Sequence, residues 1–137
     1  MSDEAKVRRG WLKFMYVYTI VGAGAFGLAI IVAPGAIASA LGLPSQEPIT
    51  FGVTGSVYVA FGLLSVLGLR SPLKFAPVLL LQLCYKLTWF VGVVAPLLVA
   101  RQFPAYAAPL TGIFASYIIG DLIAIPFSHV FAKQSGR

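Results

Sequence analysis

Residues 75–100, FAPVLLLQLCYKLTWFVGVVAPLLVA, decide the fold, because this segment is almost entirely apolar and carries one charge, Lys86, near its middle. A helix of about 20 apolar residues is long enough to cross a hydrocarbon core of roughly 30 Å. An open set of strands would leave backbone N–H and C=O groups unpaired in lipid. The segment is therefore predicted to be a transmembrane helix.

Three more long apolar segments, at about residues 11–33, 49–69 and 106–127, have the same character. Hydrophobic residues make up 59% of the chain and charged residues 10%, whereas soluble domains contain about 25% charged residues. This composition excludes a water-soluble monomer. The sequence predicts an all-α fold, a bundle of four transmembrane helices that forms one integral membrane domain over residues 1–137.

Basic residues gather on one side of the predicted bundle. That side holds Lys6, Arg8, Arg9, Lys13, Arg70, Lys74, Lys133 and Arg137, and the opposite connections hold Arg101. Loops rich in lysine and arginine stay in the cytoplasm, so both termini are predicted to be cytoplasmic. Because these charges bracket membrane segments and do not gather on one folded face, they argue against nucleic acid as a partner.

The longest predicted connection, residues 34–48, contains an apolar stretch at 35–43 that is too short to cross a bilayer. Such a segment is typical of a short helix that lies in the interface or folds over the mouth of a bundle. We therefore expect a short interfacial helix between spans one and two.

Prolines mark irregular points in the later spans. Ser71 followed by Pro72 predicts an N-cap and first helical residue at the start of span three. Pro96, four residues after Gly92, predicts a kink near the end of that span. Pro126 lacks a backbone donor and is expected to end or kink span four near residue 125.

Small residues recur at every fourth position of span four. The stripe consists of Ala108, Gly112, Ser116, Gly120 and Ala124. Helices in lipid associate by close packing of small residues, so this stripe predicts a packed helix face. The sequence leaves open whether that face meets a helix of the same chain or a second subunit.

Two charges of opposite sign, Lys86 and Asp121, lie inside predicted spans. A charge in hydrocarbon costs several kcal/mol unless it is paired or hydrated, so such residues mark a functional-site hypothesis. At 1.5 Å per residue, Lys86 lies about 2 Å and Asp121 about 7 Å to the cytoplasmic side of the middle of its span. Their side chains are expected to meet directly or through one water molecule.

Further polar and aromatic residues share the faces of these two charges. Gln82 and Trp89 lie one turn either side of Lys86, and Tyr117 lies one turn from Asp121. Together the five residues form a candidate ligand or ion site in the inner half of the bundle. The alternatives are that the charges only pair to fix helix register, or that Asp121 reaches interfacial water.

Several segments resemble the DoxX-like group of small four-helix bacterial membrane proteins. They are IVAP (31–34), LGL (41–43), GVTG (52–55), AFGLL (60–64) and APVLLLQLCYK (76–86). The resemblance implies a four-helix fold in a bacterial inner membrane. Some relatives are associated with quinone-linked oxidoreductases, which implies an accessory subunit and a quinone-like or lipid-like small molecule as a partner. It transfers no active site.

Two classes of function follow. The first is a non-catalytic membrane protein: a subunit of a larger complex or a homo-oligomer, or a bundle that binds an apolar ligand between its helices. The second is a proton- or ion-coupled transporter or channel that uses Lys86 and Asp121. An enzyme ranks third, since no nucleophile motif, phosphate-binding loop or metal-ligand cluster accompanies the pair. The sequence identifies no cofactor and predicts no metal site, with His129 as its one histidine.

Overall fold

The computed structural model of the chain describes residues 8–133, and every regular element in that range is helical. Four helices are long and apolar enough to cross a membrane, and we call them spans one to four: Arg9–Val32, Pro48–Arg70, Ala76–Val99 and Ala105–Ala124. The predicted all-α bundle of four spans is confirmed, with each boundary within a few residues of its predicted position.

Span one is at the centre of the packing. It lies against spans two and four, and span three packs on span four and, less extensively, on span two. The Tyr16 hydroxyl donates to the Pro72 carbonyl (2.6 Å) and the Arg8 guanidinium to the Ile123 carbonyl (3.2 Å). These contacts join the ends of the spans near Arg9, Arg70 and Ala76, which we call the basic end, and the opposite end is the distal end.

Glycines let the backbones of spans one and two approach closely. A Cβ atom placed on Gly62 would lie 2.7 Å from the Gly24 Cα, and one on Gly27 would lie 2.6 Å from the Gly55 carbonyl oxygen. Real Cβ atoms do not reach such distances. The contact between the two spans therefore depends on glycine at these positions.

The connection between spans one and two contains a helix at Pro34–Ala40. Its placement at a membrane interface stays a prediction. Glu47 then caps span two, because its carboxylate accepts hydrogen bonds from the backbone N–H groups of Thr50 (2.7 Å) and Ile49 (2.8 Å). These bonds, first that from Thr50, hold the pKa of Glu47 below its usual value.

The predicted N-cap of span three is wrong. Ser71 instead caps the end of span two, and span three begins at Ala76 with no side-chain cap. Residues 71–75 form a turn whose Pro72 carbonyl is held by the Tyr16 hydroxyl. The proline signal thus marks the turn between the spans and not the first residue of the helix.

Two spans contain a π-helical turn, at Ile20–Gly24 in span one and Phe90–Val94 in span three. The second contains Gly92, whose carbonyl is crowded by the ring of Pro96 four residues later, and Pro96 also lacks an N–H group. Single π-helical turns occur inside α-helices, and this one falls where the proline prevents regular α-helical hydrogen bonding. In span four, the expected effect of Pro126 is confirmed, since the helix ends at Ala124 and the next residue is extended.

Candidate functional site

A cavity of about 710 Å³ lies between the four spans. Each span contributes a stripe of side chains at helical spacing: Tyr18, Gly22, Phe26 and Ile30; Phe51, Thr54 and Tyr58; Lys86, Trp89, Val93 and Leu97; and Leu110, Phe114 and Tyr117. Residues of the distal connections, among them Leu41, Leu43, Phe103 and Pro104, complete the wall. The cavity therefore extends from the middle of the bundle to its distal end.

The lining is mainly apolar and rich in aromatic rings. It includes the rings of Tyr18, Phe26, Phe51, Tyr58, Tyr85, Trp89, Phe103, Tyr106, Phe114 and Tyr117. Among the described residues that line the cavity, Lys86 alone carries a charge. Ligand sites in proteins are typically apolar and aromatic with a few well-placed polar groups, and this lining has that composition.

The Lys86 ammonium lies at the inner limit of the cavity, among ring faces. Its Nζ atom donates a hydrogen bond to the Tyr85 hydroxyl (2.5 Å) and lies 4.2 Å from the centroid of that ring. The centroids of Phe114 and Tyr117 are 4.6 and 4.5 Å away. A cation over an aromatic face is attracted by the ring quadrupole. The three rings therefore hold the ammonium in place with only 1% of Lys86 exposed.

Tyrosine pairing fixes the wall beside Lys86. The rings of Tyr18 and Tyr117 stack with centroids 4.1 Å apart, and the Tyr117 hydroxyl donates to the Tyr18 carbonyl (3.0 Å). The Tyr18 hydroxyl in turn shares a hydrogen bond with Ser116 (2.6 Å). A Cβ atom on Gly22 would overlap the Tyr117 hydroxyl, so glycine leaves the space that this hydroxyl occupies.

Asp121 lies below the cavity and is completely buried. Neither of its carboxylate oxygens has a hydrogen-bond partner among the described residues. It interacts electrostatically with Lys86, but the expected direct hydrogen bond is not formed, because the ammonium turns toward Tyr85 and the ring faces. The contact through one water molecule stays a prediction.

Three more polar side chains are fully buried in this inner region: Thr19, Ser65 and Gln82. The Gln82 amide donates to the Thr19 hydroxyl (3.3 Å), which itself donates to the Met15 carbonyl (2.7 Å). The Ser65 hydroxyl has no partner among the described residues. Gln82 thus joins spans one and three below the cavity and does not line it.

The five candidate residues therefore fall into two groups, those that line the cavity and those that are buried below it. Lys86, Trp89 and Tyr117 line the cavity, and Trp89 packs edge-on against Phe114 with centroids 5.0 Å apart. Gln82 and Asp121 are buried nearer the basic end. Lining residues such as Phe51, Tyr58 and Phe114 were missed by the sequence analysis, although aromatic residues at helical spacing are the signal that could have identified them.

The small-residue stripe of span four is buried at one end and exposed at the other. Gly120 and Ala124 are buried, and a Cβ atom on Gly120 would overlap the Met15 side chain of span one. Ala108, Gly112 and Ser116 are exposed, and a Cβ atom on Gly112 would meet nothing within 4 Å. Gly120 and Ala124 therefore pack within the chain, whereas Gly112 faces open space and the exposed Ser116 reaches span one through its hydrogen bond to Tyr18.

Residues 8–133 contain no group of three His, Cys, Asp or Glu side chains placed to hold a metal ion. Comparison of the chain with protein-family models, curated proteins and solved structures finds no match. The assignment of function thus depends on the geometry of the cavity.

Proposed function

We propose that this chain is a multi-pass membrane protein that binds an elongated apolar molecule between its four spans. The observation that carries the proposal is the aromatic cavity of about 710 Å³. Ligand sites commonly measure about 300–1,000 Å³, so the volume suits a small lipid-like molecule. Apolar walls favour the entry of a hydrocarbon ligand into the cavity, while the few polar groups near Lys86 orient one end of that ligand.

The proposed location is a bacterial inner membrane with both termini in the cytoplasm. The basic end of the bundle holds Arg8, Arg9, Arg70 and Lys74, and the distal connections hold Arg101. This asymmetry supports a cytoplasmic basic end. The cavity would then extend toward the outer surface of the membrane.

Association with other membrane proteins, as an accessory subunit of the DoxX-like kind or as a homo-oligomer, is part of the same proposal. Small residues on the surface of the bundle support it. Gly52, Ser56 and Ala60 border an open groove on span two, and Gly112 is exposed on span four. Such residues allow a neighbouring helix to approach closely.

Proton- or ion-coupled transport is a second candidate, favoured by one observation. Asp121 is a fully buried carboxylate without a hydrogen-bond partner among the described residues, and it interacts electrostatically with the buried Lys86. Ionisable groups at membrane depth commonly mark proton or ion pathways. Loss of ion or proton flux in Asp121→Asn, with ligand binding retained, would favour this candidate.

Binding is tested by the fluorescence of Trp89. Trp11→Phe leaves Trp89 as the sole tryptophan, so a brominated dodecyl probe that enters the cavity will quench it. We expect saturable quenching in lipid nanodiscs, abolished by Val93→Phe, which adds a ring to the lining. Val91→Phe is the matched control, because Val91 belongs to the same turn but is 74% exposed. Quenching that never saturates, or that is equal in all three proteins, would contradict binding in the cavity.

A further inference from the structure

We infer that the molecule in the cavity is an amphiphile with an anionic head group, which lies at Lys86 while its hydrocarbon chain extends toward the distal end. This inference rests on the proposed binding function and specifies the chemistry of the ligand. It follows from the charge of the lining, the hydrogen-bonding capacity of the ammonium and the shape of the cavity.

The charge of the lining is positive. Lys86 lines the cavity, whereas the acidic side chains of Asp121 and Glu47 do not belong to the described lining. Asp121 is enclosed below it, and Glu47 caps span two outside it. A negatively charged head group complements this ammonium from the cavity side, because the Asp121 carboxylate interacts with it electrostatically but forms no hydrogen bond with it.

The ammonium also has unused donors. A lysine side chain carries three N–H donors and no acceptor, and among the described residues its hydrogen bond goes to the Tyr85 hydroxyl. The rings of Phe114 and Tyr117 offer only their faces. An anionic oxygen would accept the remaining N–H groups in short, charge-assisted hydrogen bonds. The Tyr58 phenol, which lines the cavity, adds a hydroxyl donor there.

The shape of the cavity suits an extended chain. On span three the lining includes Tyr85 and Lys86 and continues through Trp89 and Val93 to Leu97. From Lys86 to Leu97 the helix rises about 16 Å. Beyond Lys86 this stripe is apolar. A polar group at one end of an apolar column specifies an amphiphile with its head inside and its chain pointing to the distal end.

The test compares dodecanoate with dodecanol, which share a chain length and differ in head-group charge. Each competes with the brominated probe for Trp89 in Trp11→Phe nanodiscs at pH 7, because the acid must be ionised while the lysine stays protonated. Signals from Val93→Phe nanodiscs are subtracted as bilayer partitioning. We expect dodecanoate to bind about tenfold or more tightly than dodecanol, as one or two charge-assisted hydrogen bonds would provide.

Substitution of Lys86 then shows whether this residue causes the preference for dodecanoate over dodecanol. Lys86→Met should remove the advantage of dodecanoate. The affinity for dodecanol should change by no more than about threefold, because the uncharged alcohol loses no charge-assisted hydrogen bond. Lys74→Met, a matched change at the basic end outside the cavity, should retain the preference. A preference that survives in Lys86→Met would overturn the inference.

The outcomes separate the two proposals. If neither compound binds saturably, the proposed function itself fails. If both bind equally, or dodecanol binds more tightly, binding stands and the anionic head group is refuted. The wild-type comparison alone gives this decision, so the inference stays testable even if Lys86→Met does not fold.

Discussion

At the residue scale, the two intramembrane charges have different surroundings. Lys86 lies among three aromatic rings and donates to Tyr85, whereas the Asp121 carboxylate has no hydrogen-bond partner among the described residues. Sequence analysis identified both residues because charges are rare in apolar spans. The absence of a direct hydrogen bond between them was not predicted. The direction of a long lysine side chain depends on where the aromatic rings lie, and two of these rings belong to span four.

The electrostatic coupling of these charges is testable by a double-mutant cycle. Removing one charge leaves the other buried without its compensating charge, which typically costs about 3–5 kcal/mol. We therefore expect Lys86→Met with Asp121→Leu to be more stable than the sum of the single changes implies, by about 1 kcal/mol or more. Unfolding of the purified protein in detergent measures this. Strictly additive effects would show that the two charges are not coupled.

Glu47 gives a pH-dependent prediction at the same scale. Because its folded pKa is lowered by the Thr50 and Ile49 N–H groups, its contribution to stability is present above the unfolded pKa and is lost as the pH falls through the folded value. Glu47→Ala removes this cap. The stability difference between wild type and Glu47→Ala should therefore shrink from neutral to acidic pH, as measured by thermal unfolding. A difference that grows on acidification would contradict the assignment.

At the element scale, the lengths of the spans follow from the sequence but their contact faces do not. Hydrocarbon thickness fixes how many apolar residues a helix needs, so the four spans were predicted closely. Small residues occur on several faces of each helix. Spacing alone therefore did not show that Gly24 and Gly62 would meet, or that Gly112 would face away from the bundle.

The contact between spans one and two predicts a difference between two equivalent substitutions. Gly62→Ala places a methyl group against the Gly24 backbone, and overpacking of this kind costs about 1–3 kcal/mol. Gly112→Ala meets open space and gains up to about 1 kcal/mol of helix propensity. Thermal unfolding in detergent should show a lower midpoint for Gly62→Ala only. Equal midpoints for the two variants would refute the close backbone contact.

At the scale of the whole molecule, the cavity arises from the way four spans and two connections are assembled. Its lining combines residues from Tyr18 to Tyr117, and no single segment reveals it. The candidate site expected around Lys86, Gln82 and Asp121 separates into an aromatic-rich cavity above Lys86 and a buried polar layer below it. The relative rotation of the helices, which a single sequence does not specify, decides which side chains enter each region.

Orientation in the membrane is also a property of the whole molecule. With Cys84→Ser removing the native thiol, Ser45→Cys at the distal end should react with a membrane-impermeant maleimide added outside intact cells. Ser71→Cys at the basic end, also exposed, should react only after lysis. The reverse pattern would place the basic end outside and contradict the charge asymmetry.

The bundle is proposed to hold an elongated apolar molecule in its cavity. The most direct test of this proposal is mass spectrometry of small molecules extracted from wild type, Val93→Phe and Val91→Phe, each purified in parallel from the same membranes. We expect one lipid-like species in near-equimolar amounts in wild type and Val91→Phe, and its strong depletion in Val93→Phe. The same species in equal amounts in all three proteins, or its absence from wild type, would contradict the proposal.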